Sequence, residues 1–277
     1  FGFPTRSRLL FHDRPNAVYP WPPKSTIDRN LDIAISQFAP KSELVKDKLV
    51  HTAIGIASWN PAGGQVKPSS NPFGKVRRII NCARCSSVEE VVLGQEPIAC
   101  PQCSAGEPDF SAFDLAEPEG FISSFKPVDF EGSFAYSSRG SSPKIASSFL
   151  NSKKVEFGNA VAVSDECQLF VINQNNGSQF TFAKPKNKWS FGEHAWIDTR
   201  FHEDEDLKKL HDIPSLELDS SRTFALGMVK STDALLFGPK VVPSGISITP
   251  YDPGRRGALY SLGFLIREVA HRDLDIG

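Results

Sequence analysis

Short apolar runs separated by polar or turn-forming residues dominate the chain, and this pattern predicts strands more often than helices. In "ELVKDKLVHTAIGIASW", two apolar runs flank a polar tip at residues 46–48, which is typical of a β-hairpin. In "QLFVINQNNGSQFTFAK", Asn176 and Gly177 favour a tight turn between two strand-like runs. The segments "RTFALGMV" and "DALLF" predict a further strand pair.

Helical spacing occurs in fewer places. In "STIDRNLDIAISQFAP", apolar residues from Leu31 to Phe38 follow a capping-box-like start at Ser25 and Asp28 and precede Pro40, which predicts a short amphipathic helix. The charge run "HEDEDLKK" predicts the solvated start of another helix. The closing segment "GRRGALYSLGFLIREVAHRDLDI" predicts a helix with one apolar face. That face comprises Ala258, Leu259, Leu262, Ile266, Val269 and Ala270.

Four of the five cysteines form two Cys-x2-Cys pairs, with fourteen residues between the pairs. The four are Cys82, Cys85, Cys100 and Cys103. Each pair matches a knuckle that turns both sulfurs toward one tetrahedral ion, and the spacer is long enough for a short hairpin. The spacer is one residue below the usual window for this motif. The pattern predicts a zinc ribbon with a structural site, because catalytic zinc keeps one position open for water. Iron is the main rival metal.

With this ribbon, the patterns predict a strand-rich α+β fold with a few amphipathic helices and an inserted zinc ribbon. Residues 1–64 are interpreted as an N-terminal docking segment, a helix and a hairpin, and residues 65–110 as the zinc ribbon. Residues 111–277 are interpreted as a strand-rich module that ends in the amphipathic helix. The chain lacks an initial methionine and stops just after the helical pattern, so we expect a longer parent protein and a truncated final helix.

Composition narrows the class of protein only slightly. The 277 residues have a formal net charge of −1, so any nucleic-acid surface must arise from local clusters of Lys and Arg. No apolar run is long enough for a membrane span and no signal peptide is recognisable, so we expect a cytoplasmic protein without membrane contact. In that compartment, paired cysteines favour a metal over disulfides, and the unpaired Cys167 is interpreted as a small buried residue.

Two clusters are candidate nucleic-acid contacts. Basic residues lie on the leading edge of the predicted ribbon, where they favour phosphate contacts. These are Lys75, Arg77, Arg78 and Arg84. The alternative interpretation is an ordinary solvated basic strand. In "KPKNKWSFGEHAW", lysines precede aromatic residues, which suits phosphate binding with base stacking. The candidates there are Lys184, Lys186, Lys188 and Trp189. A polar loop before a core strand with a buried Trp196 explains the same segment.

Sequence motifs for catalysis are absent. The chain has no phosphate-binding P-loop, dinucleotide-binding turn, HExxH zinc motif or GxSxG nucleophile motif, so we expect this chain not to be an enzyme. His194 and His202 lie near Glu193 and Asp198 in sequence, which leaves a metal-dependent hydrolase as a weaker alternative.

Several segments, taken in order, resemble the region that follows the motor domains of Mrf-type superfamily-two DNA helicases. They are "FGFPTRSRLL", "IDRNLDIAISQFAPKSELVKDKLVHTAIGI", the cysteine pairs, "VINQNNG", "TFALGMVKSTDALLF" and "GALYSLGFLIREVAHRDLDI". In those helicases, this region ends in a domain of unknown function. The domain also occurs in helicase-associated proteins of phage-defence systems such as DISARM. Here Lys41 replaces a glycine common in the family, and "AKPKNKW" stands where relatives often carry further cysteines.

The resemblance implies an accessory module of an ATP-dependent DNA helicase, acting in DNA repair or phage defence. Its implied partners are the helicase motor domains, DNA and a nuclease. The leading hypothesis is a non-catalytic zinc-bearing region that contributes nucleic-acid binding. The alternative is a protein-interaction scaffold that braces the motor or recruits the nuclease.

Overall fold

The structure is a computed structural model that describes residues 6–13, 26–62, 65–133, 143–151, 153–158, 160–187, 191–192, 194–239 and 253–274. Two compact units divide the chain. The larger unit comprises Phe1–Asn151 and Glu166–Asp233, and the smaller comprises Ser152–Asp165 and Ala234–Gly277. The three predicted segments, 1–64, 65–110 and 111–277, stay a prediction about domain organisation.

Strands outnumber helices, and the predicted strand-rich α+β class is confirmed. The strands in the first half are β1 (Ser7–Phe11), β2 (Thr26–Asn30), β3 (Glu43–Lys46), β4 (Leu49–Ile56), β5 (Trp59–Ala62), β6 (Gln65–Pro68), β7 (Lys75–Cys82), β8 (Val88–Val91), β9 (Phe110–Glu117), β10 (Phe121–Ser123) and β11 (Val128–Asp129). The later strands are β12 (Lys144–Ile145), β13 (Lys154–Phe157), β14 (Ala160–Asn173), β15 (Phe180–Pro185), β16 (Trp196–Asp198) and β17 (Leu216–Pro239). The helices are α1 (Leu31–Gln37), the 3-10 helix η1 (Ser147–Asn151), α2 (Arg200–Glu203), α3 (Glu205–Leu210) and α4 (Pro253–Leu274).

The main sheet of the described residues follows the order β2-β1-β10-β4-β16-β15-β17-β9-β7-β8. Most neighbours are antiparallel, but β1 lies parallel to β10 and β17 lies parallel to β9. Strands β5 and β6 form a separate two-stranded sheet. Residues 7–11, part of the predicted N-terminal docking segment, form β1 in this sheet, with Leu10 and Phe11 almost fully buried.

Aromatic side chains fill the centre of the larger unit. The ring of Phe73 lies 5.0 Å from that of Trp196 and 4.7 Å from that of Phe224, measured between centroids. Both distances fall in the range in which edge and tilted aromatic contacts are favourable. These contacts join the loop before β7 to β16 and β17, so the strand that carries the first cysteine is anchored to the core.

A buried carboxylate ties three parts of the larger unit together. Glu117 at the end of β9 accepts from Arg6 at 3.2 Å, from Arg77 on β7 at 3.1 Å and from the backbone N–H of Val229 at 3.3 Å. Its side chain is 9% exposed, so both arginines are needed to balance a charge held away from water.

Local predictions fare better than predictions of strand pairing. The β3–β4 hairpin is confirmed, with Asp47 and Lys48 at positive φ in its turn. The first helix is confirmed from Leu31, but the predicted cap residue Asp28 lies in β2, and Ser25 lies outside the described residues. Helix α3 begins at the charge run, where Asp204 accepts hydrogen bonds from the backbone N–H groups of Asp206 and Leu207.

Two strand pairings were predicted wrongly. "RTFALGMV" and "DALLF" belong to one continuous strand, β17, because the polar residues 230–233 remain extended and partly or fully exposed instead of turning. Asn176 and Gly177 do adopt positive φ, but the flanking strands pair elsewhere: β15 with β16 and β17, and β14 with β12, β13 and β17.

In the smaller unit, β13 pairs antiparallel with the start of β14, from Lys154 opposite Val163 to Phe157 opposite Ala160. The predicted closing helix is confirmed as α4 and extends to Leu274. Its predicted apolar face includes Leu259, Leu262 and Val269, each at least 40% exposed.

Candidate metal centre

The cysteine pairs lie where the main sheet ends. Strand β7 pairs with β9 over eight residues, from Lys75 opposite Glu117 to Cys82 opposite Phe110. On its other side β7 forms a hairpin with β8, whose last pair is Asn81 opposite Val88. The first knuckle is this turn, closed by a hydrogen bond from the N–H of Cys82 to the carbonyl of Ser87 at 2.9 Å. Cys82 is therefore held by backbone pairing on both sides.

The second knuckle follows a loop beyond β8. The N–H of Cys100 donates to the carbonyl of Ala105, and the N–H of Ser104 donates to the carbonyl of Cys100, both at 2.8 Å. Ser104 adopts positive φ, as the tight return requires. Ala105 and Phe110 pack with Cys82 and Cys100 in a small apolar cluster beneath the sulfurs. This packing brings the two pairs together, as the spacing predicts.

Sulfur positions match one tetrahedral ion. All four Sγ atoms lie within 4.8 Å of one another, with Cys82 to Cys103 at 3.7 Å and Cys85 to Cys100 at 3.5 Å. Zinc–sulfur bonds of about 2.3 Å place sulfurs about 3.8 Å apart at tetrahedral angles. The cysteines are free thiols and not disulfides. Their donor chemistry and spacing therefore fit a metal ion such as zinc.

Hydrogen bonds prepare part of the cluster for metal binding. Burial raises the pKa of Cys100, but hydrogen bonds from Ser87 and from the backbone of Cys103 and Gln102 outweigh it and lower that pKa to about 6. For Cys103, a backbone hydrogen bond from Ala105 lowers the pKa, but burial and the neighbouring thiols outweigh it and raise the value to about 12. A hydrogen bond with Ser87 also lowers the pKa of Cys85. The cluster thus offers two thiols that ionise readily, and a bound cation would favour ionisation of the rest.

A segment from outside the ribbon contacts the base of the first knuckle. Lys144 on β12 donates from Nζ to Oδ1 of Asn81 at 2.6 Å. Ser147 at the start of η1 accepts from the N–H of Val88 at 3.1 Å and donates to its carbonyl at 3.3 Å. Sequence reasoning missed both residues, because "SPKIASSF" carries no metal-binding spacing. Ser87, directly after the knuckle, could have been found from its position.

Two of the candidate phosphate contacts are engaged in ion pairs. Arg77 binds Glu117 and Glu90, at 3.1 and 2.8 Å. Arg78 makes equivalent pairs, to Glu96 at 2.7 Å and to Asp114 at 3.1 Å. Among the described residues, Lys75 and Arg84 have exposed side chains and no ion-pair partner. Their role as nucleic-acid contacts stays a prediction.

The second basic cluster lies only partly within the described residues. Lys184 on β15 places its ammonium group 5.1 Å from the ring centroid of Trp196, which is 6% exposed. Lys186 follows β15 and is exposed. Lys188 and Trp189 lie outside the described residues. Trp196 is thus a core residue with a cation above its ring, which is the simpler explanation given for this segment.

One of the residues considered for a hydrolase site is already engaged in an ion pair. Asp198 is fully buried and bound by Arg200 at 2.7 and 2.9 Å, so its charge is already balanced. Glu193 lies outside the described residues. Within the part of the chain that the structure describes, the four cysteines are the only group of three or more His, Cys, Asp or Glu residues close enough to hold a metal.

Comparison with protein families, with curated proteins and with solved structures finds no match for the chain. None of the helices within the described residues combines the length and the apolar character needed to cross a membrane. The chemistry of the cysteine cluster is therefore the most specific functional observation.

Proposed function

We propose that this chain is a non-catalytic, zinc-structured accessory region of an ATP-dependent DNA helicase. The cluster of four thiolates carries the proposal, because such a set closes the coordination sphere and leaves no position for a reacting water. When bound, the metal would supply a cross-link between the end of β7 and the loop before β9. The helicase context rests on the sequence resemblance. Measurements of DNA binding test the nucleic-acid contact that this context implies.

The metal is tested on the purified chain. We expect about one zinc per chain, since four cysteines form one site. Cys100→Ser should lose the metal and lower the melting temperature, whereas Cys167→Ala, a buried cysteine outside the cluster, should keep it. Elemental analysis measures the zinc content of each variant, and thermal unfolding measures its melting temperature. Equal zinc content in both variants would reject the assignment, and iron in place of zinc would correct it.

A DNA contact is the first specific role we propose for this region. Lys75 and Arg84 support it, because both are exposed and without ion pairs among the described residues. The ribbon as a whole gives no general attraction, since residues 65–110 contain five basic and five acidic side chains. Any contact with phosphates must therefore come from these individual side chains.

DNA binding is tested by fluorescence anisotropy with single-stranded and duplex DNA over a range of salt concentrations. Replacing Lys75 and Arg84 by alanine should weaken binding and lower the slope of log K against log salt by about two, one for each lost phosphate contact. Lys154→Ala with Lys209→Ala removes the same charge from other exposed positions and should leave the slope unchanged.

The scaffold alternative is supported by a different observation. The loop after β8 exposes Val92, Leu93 and Ile98, at 64%, 73% and 98%. At the same time, carboxylates neutralise Arg77 and Arg78. Absence of DNA binding by the wild-type chain at low salt would reject the DNA role and favour a region that contacts protein.

A further inference from the structure

We propose that Lys144, delivered by a segment outside the ribbon, supplies the positive charge that sets the zinc affinity of the four-cysteine centre. This inference rests on the proposed zinc site and concerns how that site is regulated. The segment comprises β12 and η1 and is called the latch, from Lys144 to Asn151.

Charge is the first argument. Zinc bound by four thiolates carries a net charge of about −2, which is costly near a buried surface without a nearby cation. Arg77 and Arg78 on β7 are each held by two carboxylates, and Arg84 inside the first knuckle is exposed to water, which screens its charge. Lys144 is partly buried and donates to the side-chain amide of Asn81, a neutral group next to Cys82.

Geometry is the second argument. Asn81 and Val88 form the last pair of the β7–β8 ladder before the knuckle, and the latch contacts both of them. Lys144 binds Asn81, and Ser147 binds both backbone groups of Val88. Ala146, Ser147 and Phe149 are each at most 4% exposed, so the latch is packed in place. The ammonium group is therefore held at Asn81, the residue before Cys82.

The electrostatics of the cluster agree with this position. Burial lowers the pKa of Lys144, while the sulfurs of Cys82 and Cys85 act in the opposite direction and raise it. The same two sulfurs would belong to the metal centre. In other proteins, side chains that contact the metal ligands change the metal affinity on the order of ten- to a hundredfold.

The experiment measures zinc affinity by competition with a chromophoric chelator. Lys144→Met should weaken zinc binding on the order of tenfold, and Lys144→Arg should restore most of the loss. The effect of Lys144→Met should shrink as salt rises, because it comes from charge. Lys209→Met, which removes the same charge from an exposed position on α3, is the matched control and should match the wild type.

A second variant separates charge from packing. Lys144→Gln can still donate to Asn81 but carries no charge, so it should resemble Lys144→Met in zinc affinity and the wild type in thermal stability without metal. Wild-type zinc affinity in the Gln variant would overturn the inference, as would an equal loss in the Arg variant. Failure of the wild-type chain itself to bind zinc would instead reject the proposed metal site.

Discussion

The stacked histidines His12 and His51 are the residues whose protonation the fold opposes most clearly. Their ring centroids lie 3.9 Å apart, and each residue is 6% exposed. Burial, with help from the charges of His51 and Lys46, lowers the pKa of His12 to about 3. Burial and Lys46 also lower the pKa of His51, against a smaller opposing effect of Asp47. Both rings are therefore neutral in the folded chain near neutral pH.

The histidine pair predicts loss of stability in acid. Unfolded histidines take up protons below about pH 6.5, whereas the folded pair resists, so the free energy of unfolding is retained above that pH and falls below it. The expected slope is about 1.4 kcal/mol per pH unit for each histidine that stays neutral in the fold. For His12 the loss continues toward pH 3. Urea unfolding between about pH 7.5 and about pH 5 measures it.

Replacement of His12 by Gln provides the comparison for this prediction. The variant lacks one of the histidines with a lowered pKa, so its stability should depend less steeply on pH than that of the wild type. Identical pH profiles for the two proteins would contradict the assignment of the slope to this pair.

At the residue scale, sequence predicted what is encoded locally. The cysteines of each pair are close in the chain, so their spacing alone indicates a knuckle. Lys144 lies more than forty positions after Cys103, the last cysteine of the cluster. Its place beside Asn81 depends on how β12 pairs with β14. Likewise, no local pattern predicts that Arg77 meets Glu117, forty residues later. Long-range ion pairs can be read only from the folded chain.

At the scale of elements, the contact between β4 and β16 depends on the absence of a side chain. A Cβ atom at Gly55 would lie 2.0 Å from the carbonyl oxygen of Trp196 and 2.9 Å from the Cα of Ile197. Both are backbone atoms of a paired strand, so no rotamer change relieves the clash. By contrast, a Cβ at Gly227 would meet only the side chain of Leu115, and one at Gly106 would meet nothing within 4 Å.

These environments predict a graded series of alanine variants. Gly55→Ala should destabilise the protein by about 3 kcal/mol or more, because the sheet must separate. Gly227→Ala should cost less, since Leu115 can move, and Gly106→Ala should change little. Chemical denaturation of the three variants tests the series. A ranking in which Gly106→Ala is the worst would contradict the described packing.

Hydrophobic pattern located most elements but did not assign their partners. It identified β3, β4, α1 and α4, because each has its own apolar pattern, whereas α3 was predicted from a charge run. It divided β17 in two, because polar residues inside a long, partly exposed strand resemble a turn. It did not predict that β1 pairs with β10, because a parallel pairing between residues 111 positions apart leaves no local signal.

At the scale of the whole molecule, the predicted ribbon is an extension of the sheet. Strand β7 pairs with β9 along its whole length and ends at Cys82 in the first knuckle, so the candidate metal centre and the core share one strand. The two strand neighbours β9 and β17 then connect it to the aromatic centre around Phe73. The formal net charge of −1 does not identify a binding partner, so the proposals rest on local groups.

If the cluster binds zinc as proposed, the sharing of β7 couples the stability of the sheet to the supply of metal. An ion that binds only the folded chain adds to its stability by an amount that grows with the logarithm of free ion concentration, about 2.7 kcal/mol at a hundredfold excess over the dissociation constant. Because Cys82 ends a core strand, this increment would be felt by the sheet and not by the ribbon alone. A cell short of zinc would then hold less of the folded protein, with no change in its synthesis.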